Sequence, residues 1–223
     1  MMKKLFTVLG FFWICLFASG NDTQTTFLCE DDVSILQSHY SISFGDAIEA
    51  GVTTDLSLSI SWRVAPQSGV SKVSGTGKIT GKLVFAQPGK YQITFDIPAH
   101  GNHPGKTETV TVEVSSARMT FDLEHIAFSK QLKTGDASGI VMKVPVTVKT
   151  YDGKAYDYSM REVQTTGIAN VSSRMTNDKA VLKDGLNELS FELSGAVPTK
   201  GNIQFRVYDA KGEAVFFTYS ITN

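Results

Sequence analysis

Apolar and polar residues alternate with a period of two along most of this chain. Leu56, Leu58, Ile60, Trp62 and Val64 share one side of an extended segment, with Ser57, Ser59, Ser61 and Arg63 on the other. The same pattern returns at Tyr91, Ile93, Phe95 and Ile97, and again at Val110, Val112 and Val114. Later runs are Ile140 through Val148, then Leu189, Phe191 and Leu193. Two more follow, Ile203, Phe205 and Val207, and then Val215, Phe217, Tyr219 and Ile221. One apolar face per strand predicts antiparallel sheets that each pack on one side. Only Asp157–Gln164 suggests a short helix.

Turn chemistry supports the strands. Asp152-Gly153 separates Val146–Tyr151 from Ala155–Tyr158 and predicts a tight hairpin. Asp184-Gly185 marks a second reversal, and Asp209-Ala210-Lys211-Gly212 closes the final hairpin, with Gly212 suited to a left-handed position. Pro88-Gly89 leads into the strand that carries Tyr91 near its start, and an alternating Thr/Val strand ends at Val114. This stretch resembles the last two strands of bacterial immunoglobulin-like and PKD-like modules. The expected architecture is all-β: two tandem immunoglobulin-like antiparallel β-sandwiches, over 33–115 and 116–223, joined at Ser115-Ser116. So short a joint restricts motion between them.

The N-terminus supplies an address. Lys3 and Lys4 precede an apolar run from Leu5 to Phe17, and Ala18-Ser19-Gly20 closes it with small residues. This is the plan of a secretory signal peptide over 1–20, cleaved before Asn21, with 21–32 a flexible lead-in. The apolar run is short for a bilayer span. Export to the periplasm or outer surface follows, with no direct membrane insertion after cleavage. Cys15 leaves with the signal, and bulky Phe12-Trp13-Ile14 before it does not fit a lipoprotein box. Cys29 then remains alone, so neither lipid anchoring nor an intramolecular disulfide is expected.

Charge narrows the partners. Without Lys3 and Lys4 the chain keeps 19 basic against 22 acidic residues, a net charge of −3. No basic block supplies the footprint of a nucleic-acid binder. His100-Gly101-Asn102-His103 offers two imidazoles, but on a turn-rich loop with no completing Cys or carboxylate. Glu30-Asp31-Asp32 lacks the spaced oxygens of a calcium loop. In Gly75-Thr76-Gly77-Lys78, Lys78 is followed by Ile79 and an alternating strand, so a phosphate loop is excluded. No Gly-x-Ser-x-Gly elbow occurs. The sequence thus nominates no catalytic residue, no cofactor and no metal ligand set, and an enzyme is not expected.

Aromatic residues carry the remaining signal. Trp62 sits mid-alternation and reads as core. Tyr151, Tyr156 and Tyr158 flank the Asp152-Gly153 turn, either as rigid contact area for a protein partner or as cross-strand stabilisers. Adjacent Phe216 and Phe217 must point to opposite faces of the last strand, so one is exposed unless another element covers it. Tyr151, Tyr156, Tyr158 and Phe216 form the candidate partner surface.

The closing segment from Leu186-Asn187-Glu188-Leu189-Ser190-Phe191-Glu192-Leu193 through Gly201-Asn202-Ile203-Gln204-Phe205-Arg206-Val207-Tyr208-Asp209-Ala210-Lys211-Gly212-Glu213 ends in Phe216-Phe217-Thr218-Tyr219-Ser220-Ile221-Thr222-Asn223. It resembles the C-terminal half of the TraQ family encoded on conjugative transposons of Bacteroidetes, and Lys130-Gln131-Leu132-Lys133-Thr134-Gly135 is similar to a segment near that family's first strands. The resemblance covers the second domain, and an extra module precedes it here. It implies an exported, non-enzymatic accessory of DNA transfer acting on an envelope protein partner, and names no catalytic residue. The alternative is a surface carbohydrate-binding or adhesion module, which requires exposed coplanar aromatics.

Overall fold

The computed structural model describes residues 33–159, 162–168 and 170–222. Residues 1–32, with the expected leader, the expected 21–32 lead-in, Cys29 and Glu30-Asp31-Asp32, lie outside the described residues. The protein is an all-β molecule built from two sandwiches, each with its own hydrophobic core.

The first sandwich contains β1 (Ser34–Ile35), β2 (His39–Ser43), β3 (Ala47–Ile48), β4 (Val52–Thr53), β5 (Ser61–Ala65), β6 (Ser74–Thr76), β7 (Leu83–Val84), β8 (Gly89–Ile97) and β9 (Lys106–Ser115). One sheet has the order β2-β9-β8-β5-β6, and the opposing layer is the short pairs β1-β4 and β3-β7. Its first strand, β2, lies parallel to β9, with His39 opposite Thr111 and Ser43 opposite Ser115. All other pairs in this sheet are antiparallel. The core is the set of alternating residues: Ile60, Trp62, Val64, Tyr91, Ile93, Phe95, Val110 and Val112 are buried against Ile48, Val52, Leu83 and Phe85. Burying one such large apolar side chain contributes about 1.5–3 kcal/mol. Tyr91 lies near the start of β8, and its hydroxyl donates to Gln87 O at 3.0 Å. That backward bond from the start of the strand before the last is the tyrosine corner of immunoglobulin-like domains. Leu56 and Leu58 keep the expected inward alternation, yet the strand begins only at Ser61. Upstream the chain turns locally, with Leu58 N–H on Leu56 O at 3.2 Å instead of a ladder partner.

The second sandwich contains β10 (Ala117–Phe121), a 3-10 turn at Leu123–His125, β11 (Ala127–Phe128), β12 (Gly135–Asp136), β13 (Val141–Thr150), β14 (Tyr156–Tyr158), β15 (Gln164–Gly167), β16 (Asn170–Met175), β17 (Ala180–Leu182), β18 (Gly185–Val197), β19 (Gly201–Tyr208) and β20 (Ala214–Ile221). One sheet runs β10-β13-β18, with β16 and β12 continuing on β18, and the facing sheet is β15-β19-β20. Leaving aside the two-residue strands β11 and β12, four strands, β10-β13-β18-β16, face three, and this connectivity is the constant-type immunoglobulin arrangement. The core joins Met142, Val144, Leu189, Phe191, Ile203, Phe205 and Val207. Phe205 stacks on Phe217 at 4.8 Å, and Phe128 meets Tyr219 edge-on at 4.8 Å.

The structure departs from the sequence expectations at two places. Asp152-Gly153 does not close a hairpin: β13 pairs with β10 and β18, whereas β14 pairs with β17. The turn redirects the chain out of one layer into another, because turn chemistry fixes a reversal and not the strand that is met afterwards. The segment 157–164 holds no helix among its described residues: Asp157 and Tyr158 belong to β14 and Gln164 to β15.

A single residue, Ser116, separates β9 from β10. Arg118 reaches back across it, its guanidinium donating to Asp46 Oδ1 at 2.5 Å and to Phe44 O at 3.0 Å. Phe44 packs edge-on against Tyr151, with ring centres 5.6 Å apart. Phe44 N–H donates to Ser115 O at 3.2 Å and Tyr151 N–H to Ser116 O at 2.9 Å. A cation, an aromatic pair and backbone bonds therefore tie the sandwiches together at the joint.

Candidate protein-contact surface

The structure disperses the four aromatic residues nominated by the sequence. Tyr151 is 44% exposed but belongs to the joint, where its ring packs on Phe44. Tyr156 is half-buried, with its hydroxyl 3.5 Å from Ala210 O. Tyr158 does not lie on the surface: it is 4% exposed and donates to Tyr208 O at 2.7 Å. Burial pushes the Tyr158 phenol well above its ordinary range, with neighbouring Tyr156 and Asp209 adding to the effect. Burial likewise raises Tyr156, ahead of the nearby Asp209 charge. Tyr156 and Tyr158 thus brace the β19–β20 hairpin from below, and Phe216 alone remains as an exposed aromatic on that hairpin.

Phe216 is 43% exposed on the outer face of β20. Arg206, its cross-strand neighbour on β19, places its guanidinium carbon 5.0 Å from the ring centre. A cation above an exposed ring contributes about 0.5–1 kcal/mol. Arg206 also donates to Gln164 Oε1 at 3.1 Å, and Ser220 donates to Asn202 Oδ1 at 2.8 Å. The face is therefore one aromatic ring in a hydrogen-bonded polar surround, with the Arg206 guanidinium held in place.

The backbone beneath this face is the more informative feature. The β19–β20 turn has Gly212 at φ 81°, and Asp209 N–H donates to Glu213 O at 2.9 Å. Asp209 and Glu213 are thus a hydrogen-bonded pair, and such pairs alternate along an antiparallel ladder. Val215, Phe217, Tyr219 and Ile221 bond inward to β19. The N–H and C=O groups of Ala214, Phe216, Thr218 and Ser220 point the other way. Since β20 ends the order β15-β19-β20, no described residue pairs with that side. Sequence reasoning flagged Phe216 but missed this edge. Its only advance signal was an eight-residue strand with no charge.

A shallow cleft of about 260 Å³ beside the hairpin is lined by Tyr156, Asp157, Tyr208 and Asp209 among others. Burial raises the Asp209 carboxyl, opposed by bonds from the Glu213 and Lys211 amides. That cleft offers phenols, carboxylates and the Ser159 hydroxyl. Another cleft of about 310 Å³ spans the joint, with Lys90 and Glu113 facing Ala210 and Lys211. His100 and His103 stack at 5.3 Å on their hairpin tip, and His100 Nδ1 lies 3.0 Å from Pro98 O. Among the described residues no group of three or more His, Cys, Asp or Glu side chains is placed to hold a metal ion. Trp62 is 2% exposed and has the Lys72 ammonium 5.1 Å from its ring centre, so it is core, as its alternation indicated.

No protein-family model matches the chain, and no curated protein matches it. Solved structures that it resembles include the titin domains Z1Z2 in complex with telethonin, at 14% identity and TM-score 0.25, covering 85% of this chain and 94% of that one. DIP-gamma IG1+IG2 matches at 10% identity and TM-score 0.24, covering 86% and 97%. A beta-glucuronidase from glycoside hydrolase family 2 matches at 14% identity and TM-score 0.25, covering 85% of this chain but only 20% of the enzyme's. The chain thus spans about a fifth of that enzyme's length. The sandwich assignment rests on this chain's own strand order and tyrosine corner.

Proposed function

We propose that this is an exported, non-enzymatic contact protein of the cell envelope, and that contact is made through the open edge of β20 and the Phe216 face above it. One observation carries the reading: β20 presents eight residues with no charged side chain and no proline, unpaired on one side among the described residues. An unprotected edge of this kind is a template for an added strand, where main-chain bonds supply affinity and alternate side chains supply specificity. Export rests on the 1–20 leader. A role as accessory of a conjugative transfer apparatus rests on the resemblance of the closing segment to TraQ proteins. The carbohydrate-binding alternative calls for coplanar exposed aromatics, whereas Tyr151 follows β13 in one sheet and Phe216 stands on β20 in the other.

The test is recovery of partners by tagged residues 21–223 from detergent-solubilised envelopes, run beside Thr218→Pro. Proline at 218 removes an outward N–H and leaves the β19 ladder intact. Proteins retained by the wild type and lost by T218P support the reading, and transfer-apparatus subunits among them support its finer form. Retention on glycan beads with no T218P-sensitive protein contradicts it.

A further inference from the structure

Resting on that reading, we infer that the strand completing the β15-β19-β20 sheet is β20 of a second copy of this chain, laid antiparallel to form a continuous six-stranded sheet. The first sandwich shows what belongs at this position. Its last strand, β9, is covered by β2, five residues of the same chain running parallel to it. The second sandwich has no counterpart, because the chain that enters it pairs with β13 through β10 and β11.

The other sheet ends differ from β20. β12, β6 and β15 have two, three and four residues, β2 is five residues, β10 is five residues with Arg118, and β16 is six residues with Arg174. Charges and short length are the usual protection of an edge. β20 has neither, and its register with β19 is continuous from Ala214 to Ile221, with no bulge.

The strand is also complementary to itself. A two-fold axis beside Phe217 sets Ala214 opposite Ser220 of the second copy, and Phe216 opposite its Thr218. All four outward residues are then used in hydrogen-bonded pairs, about eight bonds in all. The two Phe217 rings become direct cross-strand neighbours, so the Phe205–Phe217 stacks of both copies join on the inner face. No like charges meet. Each Arg206 sits one strand behind β20, so the two are separated by three strand spacings, about 14 Å, beyond the ~8 Å screening length at physiological salt. An edge of eight residues is only about 27 Å long, so the expected dimer is reversible and concentration-dependent.

Sedimentation velocity of residues 21–223, from about 5 to 500 µM, is the test. The wild type should shift from monomer to dimer across that range. T218P should stay monomeric, and so should Thr218→Lys, which only adds a charge on the exposed face and guards against misfolding in the proline variant. At high concentration the wild-type amides of Phe216, Thr218 and Ser220 should exchange with solvent at least tenfold more slowly than at low concentration. A wild type that remains monomeric throughout overturns the inference, as does a dimer that both variants form equally well. The two failures separate cleanly from the broader reading. A monomer that still loses a different envelope protein on T218P keeps β20 as a contact edge and removes only the second copy as its occupant.

Discussion

Tyr91→Phe tests whether the first sandwich is held by a tyrosine corner or merely by bulk. The ring is 2% exposed and packs edge-on against Phe85 at 5.0 Å, so phenylalanine preserves the packing. What is lost is the hydroxyl's bond to Gln87 O. A net hydrogen bond contributes about 0.5–1.5 kcal/mol, and Gln87 is an exposed residue, so the cost is about 1 kcal/mol. Tyr91→Ala removes the ring as well and should cost about 3–5 kcal/mol. For a module of this size, 1 kcal/mol corresponds to a fall of about 4–8 °C in Tm. Trp62 makes the assay specific: the only other tryptophan is Trp13, which residues 21–223 lack. Urea unfolding of residues 21–223 followed by tryptophan emission therefore reports the first sandwich, while far-UV circular dichroism reports both. A Phe variant as stable as wild type, or as damaged as Ala, would refute the assignment of the hydroxyl.

Other outcomes follow from single contacts. Gly75→Ala should cost about 1–3 kcal/mol and perturb Trp62 emission, because a Cβ there would sit 2.5 Å from Trp62 Cζ2. Arg118→Ala should cost under about 1 kcal/mol, as both partners are partly exposed, yet broaden the distribution of inter-sandwich distances in small-angle scattering. Asp184 accepts from Thr150 N–H at 2.6 Å and Thr150 Oγ1 at 2.7 Å, and these bonds hold its carboxyl below its ordinary value of 3.8. Its contribution is thus complete above that value and lost as pH falls through the lower folded one, so Asp184→Asn should flatten the stability decline below about pH 4. His125 is raised by its 2.8 Å contact with Asp122, and Asp122→Asn should return its NMR titration toward an ordinary histidine.

Period-two alternation made the strands legible because each sheet buries one face. Residues such as Ile93, Val112, Val144 and Phe205 are buried where the pattern places them. Pairing was less legible. Asp152-Gly153 has hairpin chemistry but serves as a crossover, since the strand that receives Tyr156–Tyr158 is β17, more than twenty residues further on. The same limit hid the fate of Tyr158. Alternation sets it on one side of β14, but only the fold brings Tyr208 over its hydroxyl. The joint is similarly a product of tertiary placement, with Arg118 finding Asp46 across 72 positions of sequence. Phe216 was readable as exposed because Phe217 next to it had to face the core. That β20 is an edge is a fact of topology, and sequence reports only that the strand carries no charge to protect it.

Residue-resolved amide hydrogen exchange of residues 21–223 at low protein concentration tests the open edge most directly. Slow exchange is expected at Phe217 and Tyr219, which bond to β19, and fast exchange at Phe216, Thr218 and Ser220. Equal protection of both sets would mean that β20 is already paired on its outer side and that the edge is closed.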